Sequence, residues 1–209
     1  MRFCFALVLC LSCVACRQEN SNTQNFQEEN PASTHPIAKA ALELTKGPFV
    51  VYDPAYKSIP YPNGDVAADR GVCADVVIRA FRNCRFSGDT TGINLQQLVH
   101  EDMRKNFHLY PKCWQLSRPD PNIDHRRVPN LMVFFERNGK SLTTKQIADA
   151  YLPGDIVSWQ LSDGRTHIGI VVDGFGSNGW PLVVHNIGQG QQKANVLFSW
   201  KVTGHYRYP

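Results

Sequence analysis

The chain has 209 residues, of which 43% are hydrophobic, 11% aromatic and 19% charged, with a formal net charge of +4. That is enough apolar material for one packed domain and too little for two, and the aromatic content excludes a disordered polymer. No internal apolar run approaches the roughly 20 residues needed to span a bilayer, and no Lys/Arg cluster forms a nucleic-acid footprint.

The chain opens on an address. Met1-Arg2 supplies one positive charge, and residues 3–15 are uncharged and apolar or small. That length suits a signal-peptide core. Four of the seven cysteines fall in the first sixteen residues, the last of them in Cys13-Val14-Ala15-Cys16. This ending resembles the lipobox of bacterial lipoproteins, with Cys13 where that family usually carries Leu. The resemblance implies a signal peptide over residues 1–15 and a lipid on Cys16. Ordinary secretion is the alternative, and either reading places the mature chain outside the cytoplasm, the lipidated form in the periplasm or cell envelope. Residues 16–36, rich in Gln, Asn, Ser and Glu, cannot bury enough surface to offset their ordering entropy and read as a flexible tether. The folded domain is expected over residues 37–209.

Within it, Ile37, Ala40, Ala41 and Leu44 fall on one helical face before Gly47-Pro48. Residues 50–70, rich in Tyr, Pro, Gly and Asp, read as an ordered loop. Helices are predicted over residues 72–82, 94–107 and 128–137, with a Pro-bounded polar loop over 118–129. The pattern then changes to short runs between turns, predicting strands near residues 156–159, 167–172, 182–187, 195–200 and 202–208. The expected fold is α+β, with N-terminal helices packed on an antiparallel meander of about five strands.

Three cysteines remain in the domain. Cys73 stands at a predicted helix start, where unpaired amides and nearby Arg70 favour a thiolate. Cys84 and Cys113 have plainer contexts and form a candidate disulfide. A nucleophilic thiol needs a base, and the base an orienting partner. His167 opens one predicted strand and His185 lies in the next, with Asn186 as the alternative partner if the register shifts by one.

The order of cysteine at a helix start, Pro153-Gly154-Asp155 before a strand, His167-Ile168-Gly169-Ile170-Val171 and Val184-His185 resembles the NlpC-type cell-wall cysteine peptidases of the papain-like superfamily. The resemblance implies a papain-like fold, Cys73 as nucleophile, His167 as base, His185 as the orienting residue and Tyr61 at the oxyanion site. Val72-Cys73-Ala74-Asp75 departs from that family's usual Asp-Cys-Ser-Gly, so the chemistry carries over better than the specificity. Over residues 37–208 the chain also resembles a bacterial family filed as a domain of unknown function. The shared segments are YPNGDV, DRGVCADVVIRA, HEDMR, RPDPNIDHRRVPNL, PGDIVSW and HIGIVV.

Arg126 and Arg127 are candidates for gripping a substrate carboxylate, against a bland reading in which they pair with Asp120 and Asp124 in a surface loop. His100-Glu101-Asp102 lacks metal-ligand spacing, so neither a metal nor another cofactor is expected. Trp159, Trp180, Phe198 and Trp200 read as core or sheet-face residues. The function expected is an exported, lipid-anchored, monomeric cysteine hydrolase (a peptidase or amidase) acting on an amide bond in peptidoglycan stem peptides. An acyltransferase using the same site and a non-catalytic wall-binding lipoprotein are the rivals.

Overall fold

The computed structural model describes Met1 and residues 35–88 and 91–209. The signal peptide, the lipobox with Cys16 and the tether lie outside the described residues, apart from Met1 and the tether's last two positions. The first helix, α1 (Pro36–Leu44), starts with proline at its first position and buries Ile37, Ala38, Ala40 and Ala41. Two short strands, β1 (Val51–Tyr52) and β2 (Arg70–Gly71), pair in parallel and close the 50–70 segment into a loop. Helix α2 (Cys73–Asn83) follows at once. It is buried on nearly every side, from Val76, Val77 and Ile78 to Ala80 and Phe81. Helices α3 (Leu95–Asn106) and α4 (Val128–Asn138) flank it. Asn94 caps α3 by accepting from the Gln97 amide at 3.3 Å.

The remaining strands are β3 (Lys140–Ser141), β4 (Ile156–Gln160), β5 (Thr166–Phe175), β6 (Pro181–His185), β7 (Gln192–Ala194) and β8 (Lys201–Arg207). They form one antiparallel sheet of order β3-β8-β4-β5-β6-β7. The α+β class therefore holds, with six strands in place of about five. Alternation divides the sheet. Ile156, Ile168, Ile170, Val172 and Val184 face the helices, whereas Val157, Trp159, Val171 and Val183 build a second core with Tyr151 and Leu197.

Residues 195–200, expected as a strand, form none. Their backbone is spent otherwise: the Leu197 carbonyl accepts from Trp159 Nε1 at 2.7 Å, and the Ser199 amide turns back onto Val196 at 3.0 Å. The candidate disulfide between Cys84 and Cys113 is not formed. Cys84 is buried with its thiol donating to the Phe81 carbonyl at 3.0 Å, while Cys113 is exposed.

Candidate functional site

Cys73 is the first residue of α2, and Asp75 fixes that helix start. One Asp75 oxygen accepts from the Val72 amide at 2.7 Å, and both oxygens grip Arg126 at 2.9 Å. Arg126 reaches Asp75 from a single helical turn at Asp124–Arg126, so the bridge pins that turn to the start of α2. Arg79 does similar work from inside α2, bonding Asp65 at 3.0 and 3.2 Å and the Arg70 carbonyl at 2.9 Å. The helix start is therefore held from two sides.

The Cys73 sulfur packs against β5. In the β4–β5 ladder the hydrogen-bonded pairs include Leu161 with Arg165 and Asp155 with Val171. By alternation Ile168, opposite Ser158, is a non-hydrogen-bonded position, and its amide points away from β4. On that side β6 has already ended at His185, so the Ile168 amide meets the Cys73 sulfur instead. Burial nevertheless pushes the Cys73 thiol up to about 11, outweighing this amide and those of the first helical residues. The expected thiolate is thus corrected to a neutral thiol, because desolvation exceeds what the helix start provides.

His167 and His185 do meet. His167 Nε2 and His185 Nδ1 are 2.9 Å apart, with both rings buried. Gly169 makes this diagonal contact possible, since a Cβ there would lie 2.8 Å from Val183 Cγ1 and 3.2 Å from His185 Cβ. Burial lowers both imidazoles, His167 further through its neighbour, so the pair is neutral. The rings pack with Trp159 and Trp200 on the sheet face away from the helices. Thiol and imidazole pair occupy one corner of the sheet from opposite faces, and no hydrogen bond joins them. Asn186 is not the partner: its Oδ1 accepts from the Gly188 amide at 2.9 Å.

A cavity of about 630 Å³ opens in front of Cys73, lined among others by Tyr52, Tyr56, Trp114, Arg127 and Arg165. Tyr52, not Tyr61, is the tyrosine beside the sulfur. Burial raises its hydroxyl to about 12, and the adjoining Cys73 adds to the shift. Tyr61 is 41% exposed and lies edge-on to His100, with ring centroids 5.1 Å apart. Sequence reading missed Tyr52 because only the β1–β2 pairing, Tyr52 opposite Gly71, carries it to the helix start.

The arginines separate as well. Arg126 is consumed by Asp75, and Arg70 points away to Asp53 at 3.4 Å, beside a different cavity. Arg127 alone of the two loop arginines keeps its charge for the cleft. Its guanidinium stacks 4.2 Å from the Trp114 ring, its Nη1 is buried without a partner, and no carboxylate bridges it among the described residues. The bland pairing with Asp120 and Asp124 fails too. Asp120 serves Tyr56 and Asn122, and Asp124 serves His100.

Two comparisons bear on this arrangement. The family described as "Domain of unknown function (DUF1287)" matches residues 38–208. "Uncharacterized protein YijF" of Escherichia coli (strain K12) is 55% identical over 162 residues, covering 78% of this chain and 76% of the relative.

Proposed function

The chain belongs to the DUF1287 family of domains of unknown function, and from that footing we propose that it is an exported cysteine hydrolase, akin in fold and chemistry to NlpC-type peptidases, that cleaves an amide bond in peptidoglycan stem peptides. The observation that carries this reading is the corner of the sheet, where a helix-borne cysteine has two donors, the Tyr52 hydroxyl and the Ile168 amide, beside it and a histidine pair behind it. A substrate carboxylate would meet Arg127, the cation the cleft leaves unpaired.

In the reaction the Cys73 sulfur attacks the amide carbonyl, and the thiol proton passes to His167. The carbon–sulfur bond forms, the amine leaves with that proton, and water then hydrolyses the thioester. Tyr52 and the neighbouring amides receive the oxyanion. For His167 to accept at Nδ1, its Nε2–H must donate to His185 Nδ1, which makes His185 the residue that sets the tautomer. Thiol and imidazole lie on opposite faces of the sheet in the free protein, so the transfer to His167 requires the β5 corner between them to rearrange when substrate binds. The apolar leader and Cys16 support export and a lipid anchor in the cell envelope.

The test is incubation of the purified protein with peptidoglycan beside Cys73→Ala, followed by mass analysis of soluble fragments. New amine and carboxyl termini only with the wild-type protein are expected. No release above the Cys73→Ala background across wall chemotypes overturns the reading. The neutral Cys73 thiol favours one alternative, a lipoprotein that binds wall fragments without cleaving them. Retention of fragments by both proteins, with no cleavage, is its signature.

A further inference from the structure

A second cavity, of about 690 Å³, adjoins the Cys73 cleft, and Tyr56 lines both. Its walls are α3, through His100 and Arg104, and the segment from Gln115 to Asn122. Nothing in the hydrolase chemistry uses it.

His100 is the built part of this wall. It is only 8% exposed, and Asp124, fully buried on the single turn that follows the segment, holds its Nδ1 at 2.8 Å. A buried carboxylate on one ring nitrogen fixes the ring and turns the other nitrogen to the cavity. Among the described residues that Nε2 has no partner. Arg104 and Arg118 line the same cavity, and neither forms an ion pair among the described residues. Asp120 is the one carboxylate in the wall, and its oxygens are engaged by the Tyr56 hydroxyl at 2.9 Å and by Asn122 at 2.8 and 2.9 Å. One positioned imidazole and two unpaired guanidiniums therefore face an open space whose only acid is occupied.

We propose that this cavity is an anion-binding site that takes a carboxylate or phosphate group through His100, Arg104 and Arg118. Two guanidiniums supply charge and paired donors, and the imidazole, held in place by Asp124, supplies a fixed third contact through Nε2. Asp124 acts through His100 as a positioning residue. The site is independent of Cys73 and stands whether or not the neighbouring cleft cleaves amides.

Calorimetric titration of the protein with inorganic phosphate and, separately, with acetate tests this at low ionic strength. Saturable binding of either probe is expected, and whichever saturates identifies the oxyanion. Arg104→Gln with Arg118→Gln changes two exposed side chains and should weaken binding at least about ten-fold, the scale of one lost charge-assisted contact. His100→Gln should weaken it similarly, and Cys73→Ala should leave it unchanged. Non-saturable heats, or an affinity that survives the double arginine variant, overturn the proposal. A loss that appears with Arg127→Gln instead would place the anion in the first cleft and also overturn it.

Discussion

Two residues decide how the site behaves at rest. Cys73 is a buried thiol held up to about 11, so its alkylation by iodoacetamide should be slow at neutral pH and climb about ten-fold per pH unit through the mildly alkaline range. Exposed Cys113 should react first. Peptide mass mapping over a pH series checks this, and a Cys73 that outpaces Cys113 at pH 7 would show a thiol already activated without substrate. Arg126 is the second such residue. It and Asp75 are nearly inaccessible, so Arg126→Ala strands a buried carboxylate at the start of α2 and should cost about 3–5 kcal/mol in denaturant unfolding. A loss below about 1 kcal/mol would mean the bridge contributes little. Sequence reading found the two adjacent arginines but not their division of labour, because Asp75 lies 51 positions from Arg126 and no local pattern connects them.

At the scale of elements, the strongly periodic parts were legible. Helices α1 to α4 fall within a residue or two of their predicted spans, as do β4 and the first half of β5, since their apolar spacing is set locally. The misses share one cause. Residues 195–200 alternate like a strand, yet Trp159 claims the Leu197 carbonyl from across the sheet. Tyr52 likewise enters the site through a two-residue parallel pair that no periodicity announces. Strand register is what delivered the histidine pair, and Gly169 is its hinge point. Gly169→Ala would press a methyl against Val183 and His185, and overpacking of this kind costs about 1–3 kcal/mol. Unfolding in urea should show that loss, and the His185 ring resonances should shift with it. A Gly169→Ala variant of unchanged stability and unchanged ring shifts would mean that β6 yields without strain.

The whole molecule should be acid-sensitive well above the carboxylate range. Burial depresses His125 to about 3 and lowers His167 and His185, so all three stay neutral when folded. In the unfolded chain they bind protons below about pH 6.5, and the folded state loses about 1.4 kcal/mol per pH unit for each of them as pH falls from there. His35 is lowered by burial in the same way, and Asp124, raised by burial, works in the opposite direction, one group against four. Melting temperature followed from pH 7 to pH 4.5 should fall steadily, and a flat profile would contradict the burial of these imidazoles. The sheet's two rims add a different property. Its outer strands are β3, two residues long, and β7, three residues long. On either outermost strand a foreign extended segment finds only two or three residues to zip onto, although β8 begins at Lys201, well before its pairing with β3 at Tyr206 and Arg207. The fold thus keeps its longest ladders in the interior and leaves the first half of β8 as a stretch where another extended segment could pair, which matters for a domain tethered, as proposed above, among copies of itself on a membrane surface.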